Sequence, residues 1–311
     1  MSGIITNTNP NQMPESILNS VDFSYKPDDL MISTMTIVCK FPVMFNVRNI
    51  CKYIDINKEG IKEIKFGKLN KEGLSNRKSA DIKETPQKYG KKKKKKNNFY
   101  NQVTLIIKTQ ELDKFVNLKL FKNGSIQMTG CKSIEDAVIA INKLFIELNK
   151  KKGYLDHDNN KFVSVEMIYK QKETDELKKL DINQIYDFKV VMINSNFKLG
   201  MRINRENLYK LIKKETSINE NIMEVIKKNN KKNKYESDDL DKVTISGIYD
   251  PIIHACVNIK YKRQDKKISI FVFETGSIII TGANTCRQIL DAYNFINIYI
   301  LMNYKDLVIN L

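Results

Sequence analysis

Two phenylalanines open segments of one frame: Phe121-Lys-Asn-Gly-Ser-Ile-Gln-Met-Thr-Gly130 and Phe273-Glu-Thr-Gly-Ser-Ile-Ile-Ile-Thr-Gly282, identical at six of ten positions. A ring on a strand, a glycine turn and a run of hydroxyl and aliphatic side chains offer apolar contact and stacking rather than acid–base chemistry. Such a ring either packs in a core or meets a ligand. Material for catalysis is scarce. Histidine occurs only at His157 and His254, and tryptophan is absent. No acid–nucleophile set accompanies His254, and no Walker loop, nucleophile elbow or H-x-x-x-H spacing is present. The five cysteines (Cys39, Cys51, Cys131, Cys256, Cys286) are odd in number and lack C-x-x-C spacing, which argues for reduced thiols rather than disulfides or zinc. No enzyme activity, metal or cofactor is expected.

The elements that must position these residues repeat as well. Each copy of the frame follows an alternating apolar stretch and precedes a helix-like segment, and Asn49-Ile-Cys-Lys-Tyr-Ile54 upstream parallels Asn207-Leu-Tyr-Lys-Leu-Ile212. Three blocks in the same order indicate a duplicated unit. In copy one, strands are predicted over 31–40, 61–66, 103–108, 116–121 and 125–129, with a short helix over 47–54. A longer helix opens at the N-cap Ser133 and buries Ala137, Ile141, Leu144 and Leu148. Copy two repeats the plan: a strand over 188–197, a helix over 205–213, strands over 256–262, 268–273 and 277–281, then a helix behind the capping box Thr285-x-x-Gln288. Strands followed by a long helix indicate an α+β unit with helices on one face of an antiparallel sheet. The other face meets water, a ligand or other parts of the chain. Beside Gly276, one alternating set is aliphatic (Ile270, Val272, Ile278, Ile280) and suits the helix side. The other (Phe271, Phe273, Thr275, Ser277, Ile279, Thr281) is mixed and uncharged, the composition of a binding face.

The chain has 311 residues, 41% of them apolar, ample for a core. Lys+Arg number 53 against Asp+Glu 36, a formal +17 that favours a polyanionic partner. No apolar run reaches the roughly 20 residues that span a bilayer, and the first residues have no signal-peptide pattern. The organisation reads as a tail (1–28), repeat 1 (29–152) with a lysine-rich insertion (67–98), a linker (153–186), repeat 2 (187–305) with a polar insertion (217–242), and a short end (306–311). The six lysines at 91–96 are a phosphate grip, a nuclear address or a solvated loop.

The paired frames, the repeat and Tyr249-Asp-Pro251 resemble the TATA-box-binding protein family, above all the divergent members of giant DNA viruses. The likeness covers about 30–150 and 187–303. It implies a duplicated saddle: one curved antiparallel sheet, pseudo-twofold, with helices on the convex face and the concave face on the DNA minor groove. Phe121 and Phe273 match the second wedge ring of each half. Tyr100, with Phe99 as the alternative, and His254 match the first. Asn123, Ser125, Thr275 and Ser277 match hairpin positions, Thr129 and Thr281 floor threonines, and Ile279 a floor aliphatic that Gln127 replaces. Phe271 lies on the same face. The family's central asparagines are not retained at Leu30/Ile32 or Val190/Met192, and Asn194 is the nearby candidate. The resemblance implies a transcription initiation factor that bends A/T-rich double-stranded DNA as a monomer. It would recruit a TFIIB-like factor and RNA polymerase, viral or host, through Tyr249, Asp250, Ile252 and Ile253, Ile252 standing where a glutamate is usual. The expected location is a reducing intracellular compartment: the virus factory in host cytoplasm, the nucleus, or the virion. The rival reading is a saddle that serves protein interaction or regulation with weak or altered DNA binding. A glycosylase-type enzyme of related fold would need a helical catalytic domain for which the chain has no room.

Overall fold

The computed structural model describes residues 26–57, 60–67, 69–72, 83–84, 100–110, 114–170, 179–214, 224, 243–263 and 266–309. Phe99, the lysines at 91–96, residues 1–25 of the tail and most of the 217–242 insertion lie outside them. The described residues form two compact units: unit 1 holds 36–189, and unit 2 holds 26–35 together with 190–309.

Unit 1 contains the second half of β1 (Met31–Lys40), then β2 (Val43–Phe45), helix α1 (Val47–Tyr53), β3 (Ile61–Phe66), β4 (Leu69–Glu72), β5 (Lys83–Glu84), β6 (Gln102–Gln110), β7 (Lys114–Phe121), β8 (Ser125–Cys131) and α2 (Ile134–Leu148). After these come the hairpin of β9 (Lys152–Asp156) and β10 (Lys161–Val165), and β11 (Ile168–Lys170), which pairs with β2. The antiparallel order is β8-β7-β6-β3-β4-β5. Alternation decides the faces. Val103, Leu105 and Ile107, Val116, Leu118 and Leu120, and Ile126 and Met128 are all buried and share the core with Ala137, Ile141 and Leu144 of α2. Ser133 starts α2 with a full capping box: its hydroxyl accepts from the Asp136 N–H at 3.2 Å, and the Asp136 carboxylate accepts from the Ser133 N–H at 3.2 Å.

Unit 2 takes residues 31–35 of β1 and most of β12 (Tyr186–Lys198), then β13 (Arg202–Ile203), α3 (Arg205–Lys214), β14 (Thr244–Ile248), β15 (Cys256–Arg263), β16 (Lys266–Phe273), β17 (Ser277–Ala283), α4 (Cys286–Met302), α5 (Tyr304–Leu307) and β18 (Val308–Ile309). Its order is β14-β15-β16-β17-β12. The aliphatic set assigned to the helix side is there: Ile270, Val272, Ile278 and Ile280 are fully buried with Ile289, Phe295 and Tyr299 of α4. Tyr261 stacks on Phe295 at 5.1 Å between ring centroids. Thr285 caps α4 by accepting from the Gln288 N–H at 3.3 Å, but the Gln288 amide oxygen accepts from Asn284 rather than from Thr285. The predicted capping box is therefore displaced by one residue on its return side. Gly276, at φ +74°, sits with the position of a side-chain Cβ only 2.0 Å from the Met201 carbonyl oxygen, so no other residue fits that turn.

Candidate nucleic-acid interface

Antiparallel register sets the rows of each helix-free face. In unit 1, Phe121 stands opposite Gln102. In unit 2, Phe273 stands opposite Cys256. Tyr100 and His254 each precede that partner by two residues, so the four aromatic positions correspond pairwise. The next row inward is Lys65–Thr104–Lys119–Gln127 in unit 1 and Ile248–Asn258–Phe271–Ile279 in unit 2, with Asn196 of β12 beyond Ile279. The row after that is Glu63–Ile106–Asn117–Thr129 in unit 1 and Ser246–Lys260–Ser269–Thr281 in unit 2, ending at Asn194.

Phe121, Phe271 and Phe273 are half-buried, whereas Tyr100 and Ile279 are 60% and 37% exposed. Tyr100 leans edge-on against Phe66, with ring centroids 6.1 Å apart. At the hairpin tips, Asn123 Oδ1 accepts from the Ser125 N–H at 3.2 Å, and the Thr275 hydroxyl donates to Ser277 at 3.1 Å. Those polar atoms brace the turns that present the two phenylalanines. Asn194 lies on the face but its amide is engaged: Oδ1 accepts from the Thr281 hydroxyl, and Nδ2 donates to Thr34 at 3.0 Å. Asn196 donates likewise to Ser33 at 3.0 Å.

The β14–β15 turn stands apart from these rows. Asp250 Oδ1 accepts from the Ile252 N–H, and the Asp250 N–H donates to His254 Nδ1 at 3.0 Å. The histidine ring therefore closes its own turn through the lone pair of Nδ1. The turn leaves Ile252 and Ile253 projecting, 95% and 74% exposed. Tyr249 is anchored behind them, edge-on to Tyr209 at 5.9 Å and 5.7 Å from the Arg205 guanidinium.

The expectation of an uncharged face holds on β16 from Ser269 to Phe273 and along β17, and fails elsewhere, beginning with the exposed Lys267 of β16. Lys119 occupies in unit 1 the place of Phe271, and Lys260 lies on the face of unit 2. Lys260 donates to the Ser269 hydroxyl at 2.6 Å and sits 5.9 Å from the Phe271 ring. Burial, with a smaller contribution from Lys267, lowers its pKa. Lys65 pairs with Glu63. Lys119, Asn117 and Phe121 are two residues apart, so the parity that sorted copy two also places them on one face. That parity was the signal for Lys119, read only in copy two. Among the described residues, no cluster of three His, Cys, Asp or Glu could hold a metal.

Against known proteins, the chain is 35% identical over 287 residues to a protein named TATA-box-binding protein-like from Acanthamoeba polyphaga mimivirus, a match spanning 90% of this chain and 67% of that one. The chain belongs to the TATA-box-binding protein-like family. Each of its two units packs helices on one face of antiparallel strands. The solved structure of Methanococcus jannaschii TBP also aligns, with a TM-score of 0.41 and 14% identity over 86% of this chain and 94% of that one. No family model matches the chain. Within a TATA-box-binding protein-like chain, the helix-free face of each unit is the candidate nucleic-acid surface, and the 249–253 turn is a separate candidate for partners.

Proposed function

We propose that the chain binds A/T-rich duplex DNA through the minor groove, bends it, and recruits transcription machinery. Family membership supports the coarser part, a DNA-binding role in transcription at family level. One observation carries the finer part. Phe121 and Phe273 hold equivalent register positions beside glycine turns on the helix-free faces of both units. Half-buried rings at the ends of such strands act as wedges between base steps, and the contact area gained offsets the cost of unstacking. The formal +17 supports phosphate attraction. A TFIIB-like partner fits the 249–253 turn, where Ile252 and Ile253 offer apolar contact beside Asp250. The five cysteines are not joined in disulfides, in keeping with a reducing intracellular compartment.

The test is a binding and bend-angle assay on an A/T-rich duplex. Replacing Phe121 and Phe273 together by Ala should abolish bending and weaken binding about 100-fold or more, since each buried ring contributes roughly 1.5–3 kcal/mol. Lys119 and Gln127 on the face of unit 1 favour the second reading, a protein-interaction module with weak or altered DNA binding. Under that reading the double variant binds and bends DNA no differently from the natural chain.

A further inference from the structure

The two inner rows occupy the same place in their units and differ in chemistry. Phe271 and Ile279, the cross-strand pair at the centre of the unit 2 row, contain no hydrogen-bonding side-chain atom. Two amides share that row at its flanks: the Asn258 amide oxygen is buried without a partner, and Asn196, beyond Ile279, donates its amide N–H to Ser33. The corresponding pair in unit 1 is Lys119 and Gln127, directly opposite each other and both partly exposed. Lys119 supplies only donors, whereas Gln127 supplies two donors and an acceptor oxygen.

Base pairs differ in the minor groove by one group. Every pair presents acceptors there, and G·C adds the guanine N2 amine, a donor. Against Phe271 and Ile279 that amine loses water and gains nothing, so a G·C pair is rejected. Against Lys119 and Gln127, the ammonium serves the acceptors and the glutamine oxygen accepts from the amine. We propose that Lys119 and Gln127 make unit 1 tolerant of G·C pairs that unit 2 excludes, so that the chain selects sites with one strict and one permissive half. This rests on the minor-groove reading given under Proposed function.

The full chain is titrated, by fluorescence anisotropy, with three duplexes: all A/T, G·C pairs in one half, and G·C pairs in both halves. The quantity read is each dissociation constant divided by that for the all-A/T duplex. The natural chain should show a ratio below about threefold for one half and about thirtyfold or more for both, because it can turn its permissive unit to the altered half. Lys119→Leu with Gln127→Val should raise the one-half ratio to about tenfold. Ile279→Gln, which gives unit 2 an amide, should lower the both-halves ratio. A melting curve monitors the fold of each variant, and the Ile279→Gln arm decides if the double variant does not fold. Equal one-half ratios for the natural chain and the double variant overturn the proposal alone. So does a uniform loss on all three duplexes with a salt slope shallower by about one, which assigns Lys119 to a phosphate. Failure to bind even the all-A/T duplex overturns the minor-groove reading as well.

Discussion

The helix-side surfaces of units 1 and 2 are nearly interchangeable, and their opposite surfaces are not. Val116, Leu118 and Leu120 in one unit and Ile268, Ile270 and Val272 in the other are buried aliphatics under a capped helix. One residue over, Asn117, Lys119 and Phe121 stand where unit 2 has Ser269, Phe271 and Phe273. A core accepts few alternatives because burial penalises polar atoms and voids. A surface turned to a ligand follows the ligand, and each copy diverges with the part it contacts. The contrast between the two sets is that between a packed core and a face that packing does not constrain.

Neighbouring substitutions should separate the two surfaces most strongly. Leu118→Ala and Ile270→Ala should each cost about 2–5 kcal/mol in urea unfolding, while Lys119→Ala stays within about 0.5 kcal/mol. Equal costs at Leu118 and Lys119 would break the parity assignment.

A smaller difference lies in the thiols. Burial pushes Cys39 and Cys131, both in unit 1, from an ordinary 9.0 up to about 12. The unfolded chain ionises them above about pH 9 and the folded chain does not. Their contribution is thus complete below pH 9 and is lost as pH rises toward 12. At pH 10.5 the loss is roughly 2 kcal/mol per thiol. In unit 2, burial raises the Cys256 thiol from 9.0, against a smaller opposing effect of Arg205, and burial chiefly, with Asp291 second, raises Tyr261 from 10.0, whose loss begins about one pH unit later. Urea midpoints at pH 8 and pH 10.5 should converge when Cys39 and Cys131 are both replaced by Ala.

The smallest effect concerns the helix caps. Ser133→Ala should cost about 1 kcal/mol, and Thr285→Ala a few tenths less, since only Ser133 belongs to a box closed on both sides. Thermal melts of the two variants order them.

Much of this was legible in the residues themselves. The repeated frame, the alternation around Gly276 and the Ser133 cap are local patterns, and local patterns fix strand parity and helix starts. Lys119 was legible by the same parity. The pairing of Asn194 with Thr34 and Thr281, and of Asn196 with Ser33, was not, because cross-strand register between distant segments leaves no mark in either segment alone. The folding-back of His254 onto Asp250 was equally hidden: a histidine at a wedge position reads as a ring for stacking until the turn around it is seen.

Unit 2 draws on residues at both extremes of the described chain. Asp29 accepts from the hydroxyl of Tyr293 at 3.0 Å across 264 positions of sequence, and Ser33 and Thr34 bond to β12. On the ribosome, therefore, the earliest of these segments emerges long before its last partner exists. Unit 2 can be completed only after Tyr293 has been made, which makes its closure a step governed by the slow search for contacts between far-separated segments.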